Sequence, residues 1–277
     1  MIKFEKIQGL GNDFIIVEEK DIIDKNLSHL AKNICDRHFG IGADGLIVAC
    51  SSESADAKML FFNPDGTQAP MCGNGIRCFA KYVFDHKIVD KEVFKVETLA
   101  GIMQPSVYAN NGKAEFVRVN LGYPDLEVDN IPVEWPEHIF IEQEIEIGDF
   151  KYMAYALNIG SPNLVVVVED LGLVDVEKEG DLIAHSPYFP RGINVNFAKK
   201  VNEREIELMT WERGVGKTLG SGTGAAAAAY IGYKYLKMNA KINVHQIGGS
   251  VGIEVDELET IHMIGPANLI CEGNFYE

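Results

Sequence analysis

The chain contains the same local series twice, and this internal repeat constrains its fold more than any other feature of the sequence. In the first half, an aromatic residue and Asn63 precede the glycine-rich turn Met71-Cys72-Gly73-Asn74-Gly75, after which a helical pattern begins. In the second half, an aromatic residue and Glu212 precede the turn Gly220-Ser221-Gly222-Thr223-Gly224 and another helical pattern. Cys72 lies nine positions after Asn63, and Ser221 lies nine positions after Glu212. Two copies are too few for a solenoid, so the repeat predicts two pseudo-symmetric lobes that face each other across a cleft.

Strand-like and helix-like stretches alternate along the chain, which predicts a mixed α/β fold. The predicted strands are short runs rich in β-branched and aromatic residues, at 13–18, 45–50, 57–62, 92–97, 114–120, 150–157, 163–168, 193–198 and 205–211. Three or four more short strands are predicted over 241–275. Helices are predicted at the apolar stripe of 27–34, from about Gly75 onward, and over 224–237, where the first turns are apolar all round and indicate burial on every side. Residues 121–138 contain three prolines and are predicted to form a linker or long loop.

The charge balance argues against several classes of partner. The 277 residues include 25 Lys and Arg against 41 Asp and Glu, so the formal net charge is −16. A nucleic acid or an anionic membrane needs a basic face on its partner, so neither is expected to bind. No apolar run approaches the roughly 18 residues of a membrane span. The early charges at Lys3, Glu5 and Lys6 are not typical of a signal peptide.

The cysteines indicate a reducing compartment and no metal centre. They are five in number and lie far apart, which is a poor framework for disulfides, so a cytoplasmic location is expected. Neither the cysteines nor the seven histidines show the spacing of metal ligands, and no metal site is predicted.

Two nucleotide-binding patterns occur in the wrong context. The segment 40–45 has the GxGxxG form, but it follows a predicted helix and precedes a predicted strand, the reverse of the dinucleotide-binding order. Gly216-Lys217-Thr218 resembles the end of a P-loop, but Trp211 stands where the first glycine is required. Neither pattern therefore predicts a nucleotide.

The two glycine-rich turns are suited to binding a small anion. Glycines let a ligand approach the backbone, and the first N–H groups of a helix point outward with the positive end of its dipole. Such an end binds a carboxylate and favours a thiolate over a thiol, so Cys72 is predicted to be a functional acid–base group. Cys78 is predicted to be a structural residue of the helix packing. Two facing helix ends, each with an acid–base group, suit removal of a proton from one face of a carbon and its return to the other. That reaction is an isomerisation without a cofactor.

With these residues in view, the sequence resembles the diaminopimelate epimerase family, the pyridoxal-independent enzymes of lysine biosynthesis. The resemblance runs over nearly the full length, in several blocks that occur in the family's order. The blocks are Gly9-Leu10-Gly11-Asn12-Asp13-Phe14, Arg37-His38-Phe39-Gly40-Ile41-Gly42-Ala43-Asp44-Gly45, Asn63 with Asp65-Gly66, Met71-Cys72-Gly73-Asn74-Gly75-Ile76-Arg77-Cys78, Asn194-Val195-Asn196-Phe197, Trp211-Glu212-Arg213-Gly214, Gly222-Thr223-Gly224 and Gly265-Pro266-Ala267.

The resemblance implies a fold, an activity and an assembly. The fold has two α/β lobes, each a curled β-sheet around a central helix, with the active site in the cleft between them. The family's C-terminal strand returns to the first lobe, so the implied domains are 1–119 with 266–277, and 120–265. The implied activity is cofactor-free epimerisation of LL-diaminopimelate to meso-diaminopimelate by two cysteines on opposite faces of the α-carbon. The implied partner is a small amino-acid substrate, and the homodimer frequent in the family is the implied assembly.

The resemblance also assigns roles, residue by residue. Cys72 is implied to be one catalytic group. The residues implied to hold the α-carboxylate at the two helix ends are Gly73, Asn74, Gly222 and Thr223. The residues implied to line the pocket, mainly around the distal amino-acid end, are Asn12, Asn63, Asn194, Glu212 and Arg213. Among them, Arg213 suits a distal carboxylate because a guanidinium binds a carboxylate with two parallel hydrogen bonds.

The chain departs from the family pattern at two places. Ser221 stands where the family has the second catalytic cysteine, within Ala-Cys-Gly-Thr-Gly. Ser161 and Asn163 stand where the family's Gly-Asn-Pro-His has a substrate-holding asparagine and a histidine near the thiols. A serine hydroxyl needs a neighbour to take its proton, and the nine-residue offset indicates Glu212 for this role. The changes at 161 and 163 favour natural divergence over an engineered cysteine-to-serine change.

These residues are compatible with several functions. Ser221 relays a proton in an epimerase, or the protein is a related amino-acid racemase with another substrate. A third function is one-sided chemistry, as in the dehydratases of the proline racemase superfamily. A function of another class is an inactive protein that binds an amino acid in the cleft. The polar pocket residues favour diaminopimelate or a close analogue, and the sequence is interpreted as an isomerase of the diaminopimelate epimerase type.

Overall fold

The computed structural model describes residues 1–148 and 150–276, and within them helices begin at capping residues and strands form at apolar runs. The helices are α1 (Leu27–Cys35), α2 (Gly73–Asp85), α3 (Val176–Ala184) and α4 (Gly222–Tyr235). The strands of the first half are β1 (Ile2–Gly9), β2 (Asn12–Glu18), β3 (Gly45–Cys50), β4 (Ala57–Phe62), β5 (Gln68–Ala69), β6 (Val96–Thr98), β7 (Gly101–Met103), β8 (Ser106–Asn110) and β9 (Lys113–Gly122). The strands of the second half are β10 (Gln143–Ile147), β11 (Phe150–Asn158), β12 (Pro162–Val167), β13 (Asn194–Asn202), β14 (Glu205–Glu212), β15 (Gly216–Thr218), β16 (Lys241–Gln246), β17 (Gly249–Val255), β18 (Ile261–Pro266) and β19 (Asn268–Phe275).

The first of two units comprises Met1–Asn120 and Ile264–Glu277. Its sheet has the strand order β19-β1-β2-β3-β4-β6-β7, and β5 pairs with β4. The parallel pair β2 and β3 is joined through α1, and the parallel pair β4 and β6 is joined through α2. Helix α2 packs against β1, β2, β3 and β4. Its N-terminus, which carries Cys72, is therefore set by four strands of one sheet.

The second unit comprises Leu121–Met263 and repeats this plan. Its strands follow the order β10-β11-β12-β13-β14-β16-β17, and β15 pairs with β14. The parallel pair β12 and β13 is joined through α3, and the parallel pair β14 and β16 is joined through α4. Five consecutive alanines of α4, Ala225–Ala229, are all buried against this sheet. The burial predicted from the apolar first turns of this helix is confirmed.

Most predicted elements are present, and the differences have local causes. The predicted strand 92–97 is wrong in extent, because β6 covers only Val96–Thr98 and pairs with just Ala57 and Lys58 of β4. The helix predicted over 224–237 begins two residues earlier, at Gly222, since Ser221 caps it. The segment 241–275 forms the four strands β16 to β19, as predicted.

Helix α3 is an element that the sequence does not predict, because only part of its buried face is apolar. Val176 and Ile183 are buried there, and so is Glu179. The Glu179 carboxylate accepts hydrogen bonds from the Asp175 N–H group and from the Tyr152 hydroxyl. A charged residue at a buried position weakens the apolar period that marks a helix in sequence.

The mixed α/β class predicted from the sequence is confirmed. The division into lobes at 1–119 with 266–277, and 120–265, stays a prediction, and Glu277 lies outside the described residues. None of the helices in the described part of the chain has the length and apolar character that a membrane-spanning segment needs.

Candidate active site

Helix α2 begins at Cys72 because this residue caps it. Cys72 has extended backbone angles of φ −136° and ψ 124°, and its Sγ atom accepts a hydrogen bond from the Gly75 N–H group at 3.4 Å. A Cβ atom at position 75 would lie 3.2 Å from the Cys72 Cβ, so glycine lets the thiol fold back over the helix end. Cys72 is half-buried. The thiol thus lies where the unpaired N–H groups and the helix dipole stabilise negative charge.

Asn12 and Asn74 lie beside this thiol. The Cys72 Sγ atom donates to the Asn12 Oδ1 atom at 3.9 Å, and the Asn74 Nδ2 atom donates to the same oxygen at 3.4 Å. Asn12 is the first residue of β2, and Asn74 is the second residue of α2. The structure therefore brings together three of the residues predicted for the site.

Asn63 lies in the turn that follows β4. Its N–H group donates to the Thr67 carbonyl at 2.8 Å, and its Nδ2 atom donates to the Thr67 Oγ1 atom at 3.0 Å. Asp65 accepts from the Thr67 hydroxyl and from the Thr67 N–H group. The side chain of Asn63 is thus held by its own turn.

Helix α4 begins at Ser221 in the same manner as α2 begins at Cys72. Ser221 has φ −118° and ψ 123°, and its Oγ atom accepts from the Gly224 N–H group at 3.2 Å. The Ser221 N–H group donates to the Gln246 Oε1 atom at 2.8 Å, and the residue is buried. The sequence repeat thus corresponds to two helix caps with the same backbone region and the same hydrogen-bond pattern.

Glu212 supplies an acid–base partner for Ser221. Burial raises the pKa of the Glu212 carboxyl above its ordinary value. The nearby Ser221 hydroxyl offsets part of this rise, so the two side chains lie close enough to interact. A carboxyl group with a raised pKa close to a hydroxyl is suited to giving and taking a proton.

Ser161 joins several polar residues of the second unit. Its hydroxyl donates to the Thr223 Oγ1 atom at 3.1 Å and accepts from the Asn194 Nδ2 atom at 3.3 Å. The Asn163 Nδ2 atom donates to the Ser161 carbonyl at 2.8 Å and to its Oγ atom at 3.2 Å. Ser161 and Asn163, two of the residues that depart from the family pattern, therefore hydrogen-bond to each other, and Ser161 also bonds to Thr223 and Asn194, two other predicted site residues.

The hydrogen bonds of Asn163 extend into the core of the unit, to the buried side chains of Asn196 and Thr210. The Asn196 Nδ2 atom donates to the Asn163 Oδ1 atom at 3.0 Å, and the Thr210 hydroxyl donates to the Asn196 Oδ1 atom at 2.9 Å. All three side chains are at most 2% exposed. Buried amide groups need hydrogen-bond partners, and here each side chain forms a hydrogen bond with the next one, on a neighbouring strand. Asn163 therefore has a structural hydrogen-bonding role in this unit.

The Asn196 amide also explains why position 224 is glycine. A Cβ atom at Gly224 would lie 2.1 Å from the Asn196 Oδ1 atom. We expect Gly224→Ala to lower the free energy of unfolding by about 2–4 kcal/mol, because the amide must move and release Thr210. Chemical denaturation measures this change. The control is Gly232→Ala in the same helix, where the added Cβ would lie 2.8 Å from the Sδ atom of Met238 and 3.3 Å from the Cδ1 atom of Ile206, both ends of flexible side chains, and where helix propensity favours alanine. Equal stability of the two variants would contradict the argument.

Arg213 follows β14 and is fixed at its backbone. Its N–H group donates to the Asn194 Oδ1 atom at 2.9 Å, and its Nη1 atom donates to the Arg191 and Gly192 carbonyls at 3.1 and 3.4 Å. The guanidinium is thus anchored through one nitrogen. Asn194 links Arg213 to Ser161, so these three predicted site residues form one connected group.

Three other cysteines have thiols that burial keeps protonated. Burial raises the pKa of the Cys35 and Cys78 thiols to about 12 and that of the Cys50 thiol to about 11. The structural position predicted for Cys78 is confirmed, since its side chain is fully buried. Over the described residues, no group of three or more His, Cys, Asp or Glu side chains could hold a metal ion.

The family model for diaminopimelate epimerase matches residues 4–127 and 155–270. A diaminopimelate epimerase from Pelotomaculum thermopropionicum is 41% identical over 274 residues, which are 98% of each chain. The chain belongs to the diaminopimelate epimerase family. A diaminopimelate epimerase from Methanococcus maripaludis is 39% identical over 98% of this chain and 99% of its own length.

Solved structures with the same fold are more remote in sequence. A phenazine biosynthesis protein of the PhzF family from Bacillus anthracis has a TM-score of 0.70, with 17% identity over 98% of each chain. A hydroxyproline epimerase from Agrobacterium vitis has a TM-score of 0.71, with 12% identity over 98% of this chain and 91% of its own. These likenesses show that the chain has the same fold as these proteins.

The sequence does not single out three residues of these networks. Asn196 and Thr210 lie inside strands, and the signal available for them is a polar residue at an inward-facing strand position. Asp44 lies within a block that the family shares, and its carboxylate accepts a hydrogen bond from the Asn12 Nδ2 atom at 2.7 Å. Their partners lie 14 to 33 positions away in the chain, so spacing alone does not reveal the contacts.

Proposed function

We propose that the protein converts LL-diaminopimelate to meso-diaminopimelate by removing the α-hydrogen and returning a proton to the opposite face of the same carbon. Membership of the family supports this reaction, and so do relatives of about 40% identity that cover nearly the whole chain. They do not favour a racemase for another substrate, a dehydratase or an inactive binding protein. The product is a precursor of lysine and of cell-wall peptides.

The observation that carries the proposal is the buried Glu212 carboxyl group, whose raised pKa is partly offset by the neighbouring Ser221 hydroxyl. The chain lacks a cysteine at position 221, and a lone serine hydroxyl is too weak an acid to release a proton readily and too weak a base to take one. A neighbouring carboxyl group with a raised pKa supplies the missing acid–base capacity. Ser221 and Glu212 therefore act as a pair in place of one thiol.

The proposed proton transfers balance in both directions. In one direction the Cys72 thiolate takes the α-proton, the Ser221 hydroxyl gives its proton to the carbon, and the Glu212 carboxyl group reprotonates Ser221. The reaction leaves a Cys72 thiol and a Glu212 carboxylate, which are the starting state of the reverse direction. Exchange with water resets the two groups between turnovers.

The remaining site residues are proposed to bind the two ends of the substrate. Removal of the α-hydrogen moves negative charge onto the α-carboxylate, and helix N–H groups stabilise that charge. Gly73 and Asn74 begin α2, and Gly222 and Thr223 begin α4, so their N–H groups are assigned to this carboxylate. The residues assigned to the distal end are Asn63, Ser161, Asn194 and Arg213. Asn12 is assigned to the pocket wall beside Cys72. Asn163 is assigned to holding Ser161.

A cytoplasmic location and a homodimer belong to the same proposal. The five scattered cysteines support a reducing compartment. The frequent dimers of the family support the assembly.

The test is incubation with LL-diaminopimelate in D₂O, followed by NMR and by chiral chromatography. We expect meso-diaminopimelate that carries deuterium at the inverted centre, because the returned proton comes from a group in exchange with the solvent. Exchange with retained configuration would show chemistry on only one face. Absence of both exchange and inversion would contradict the proposed substrate, and Ser221→Cys, tested in parallel, separates a wrong substrate from an incompetent serine.

A further inference from the structure

The carboxylate of Asp44 lies at the centre of a polar cluster in the first unit. Its Oδ2 atom accepts from the Asn12 Nδ2 atom at 2.7 Å and from the Asp13 N–H group at 3.0 Å. Its Oδ1 atom accepts from the Arg37 Nη2 atom at 2.8 Å. Both oxygens are thus occupied, and one of them faces the Asn12 amide.

The cluster holds this carboxylate in place beside two cations. The Asp44 N–H group donates to Asp13 Oδ1 and to the Asp13 carbonyl, at 3.1 and 2.8 Å. Arg37 and Lys6 both pair with the Asp13 carboxylate, at 2.9 and 2.7 Å. Although burial raises it, these hydrogen bonds hold the pKa of the Asp13 carboxyl below its usual range. Two cations therefore balance two carboxylates, and Asp44 acts as an acceptor.

This arrangement decides which way the Asn12 amide turns. An ionised carboxylate only accepts hydrogen bonds, so the NH₂ group of Asn12 must face Asp44. The Asn12 carbonyl oxygen then faces the other way, toward the Cys72 Sγ atom at 3.9 Å and the Asn74 Nδ2 atom at 3.4 Å. A flipped amide would place an NH₂ group against Asn74 and the thiol.

We propose that Asp44 is a positioning residue whose carboxylate holds the Asn12 amide with its carbonyl oxygen toward Cys72. The proposal rests on the function proposed above for Cys72. The carbonyl oxygen accepts from the thiol and so favours the protonated form, whereas the Gly75 N–H group favours the thiolate. Asp44 thereby keeps Cys72 able to both give and take a proton, although it does not touch the thiol.

Other charged or titratable groups act on Cys72 from its own helix. The Arg77 guanidinium and the Cys78 thiol both interact electrostatically with it. Lys6, Asp13 and Arg37 act through the cluster around Asp44. Any test of Asp44 must therefore leave these groups in place and separate the turn of the amide from a direct effect of charge.

The test is the rate of alkylation of Cys72 by iodoacetamide as a function of pH, read by peptide mass spectrometry without substrate. We expect Asp44→Asn to lower the midpoint for Cys72 by about one pH unit, because the freed Asn12 amide turns its NH₂ group toward the thiolate. Alkylation of the exposed Cys271 in the same sample is the internal reference. Asp56→Asn is the matched control, since Asp56 also binds a cation and a backbone N–H group, through Lys91 and Lys95.

A double-mutant cycle separates the two effects. In an Asn12→Leu background, which lacks the amide, we expect Asp44→Asn to move the midpoint by no more than about 0.3 pH unit. An equal shift in both backgrounds would show a direct charge effect and overturn the proposal, and so would no shift in either. Because the readout needs no turnover, it is independent of whether the proposed epimerisation is correct.

A measurement on the unaltered protein covers the case in which a variant does not fold. We expect a trans-hydrogen-bond NMR coupling between the Asn12 side-chain nitrogen and the Asp44 carboxylate carbon. Amide protons of Asn12 that exchange freely with water and show no coupling would overturn the proposal.

Discussion

Cys72→Ala is expected to abolish epimerisation, with a fall in kcat of about 10³–10⁴-fold, the upper range for loss of a general acid–base group. The reason is that Cys72 lies at the capped N-terminus of α2 with its sulfur held by Gly75, and alanine leaves no group there to carry a proton. The measurement is the initial rate of conversion of LL-diaminopimelate to the meso isomer. A circular dichroism spectrum and a thermal melt establish that the variant folds.

This variant also separates the two halves of the reaction. Without Cys72, the Ser221–Glu212 pair is expected to remove and return a proton on its own face. One stereoisomer would then exchange its α-hydrogen slowly without inversion. Cys271→Ala, a change at an exposed cysteine, is the matched control and is expected to leave kcat unchanged. A Cys72→Ala enzyme that still inverts the α-carbon at a normal rate would rule out the mechanism.

Ser221→Ala and Glu212→Gln are each expected to lower kcat by about 10²–10³-fold, and the double variant is expected to lose no more than either single one. The two side chains interact and are proposed to pass the same proton, so removal of one leaves the other without a function. Steady-state kinetics of the four proteins in the cycle measure this coupling. Losses that multiply in the double variant would show two independent roles.

A conservative change on the same strand provides the control. Glu207→Gln alters the same type of side chain in β14, but Glu207 pairs with Lys199. It is expected to change kcat by less than about twofold, because exposed ion pairs contribute little. Ser221→Cys is expected to retain activity with a diminished need for Glu212, since a thiol is a stronger acid than a hydroxyl.

The raised pKa of Glu212 gives this prediction a pH dependence with a known sign. In the direction in which Glu212 is the acid, its protonated form is needed, so kcat falls as pH rises through the pKa of the carboxyl. In the reverse direction Glu212 starts as the carboxylate, and kcat rises with pH over the same range. Glu212→Gln is expected to remove both the fall of kcat with pH in one direction and its rise in the other. Identical pH profiles in the two directions would contradict the assignment.

The sequence by itself determined the class of fold, the family and the two helix ends. Apolar periodicity marked α1, α2 and α4, because burial on one side of a helix repeats every three to four residues. The paired turns at Cys72 and Ser221 were visible because a helix cap is a local pattern of a polar residue followed by glycines. The nine-residue offset from Glu212 to Ser221 also indicated that these two residues are partners, because both belong to the same repeated series.

Only the tertiary structure decided which polar groups meet. Asn163 lies opposite Asn194 in the parallel pairing of β12 and β13, and Asn196 lies opposite Thr210 in the antiparallel pairing of β13 and β14. The contact between Asp44 and Asn12 likewise joins residues 32 positions apart. These contacts depend on strand register and on long-range packing, and a shift of one residue would turn each side chain to the other face of its sheet. Local patterns carry no record of that register, so the hydrogen-bond networks around the two helix ends emerge only in the folded chain.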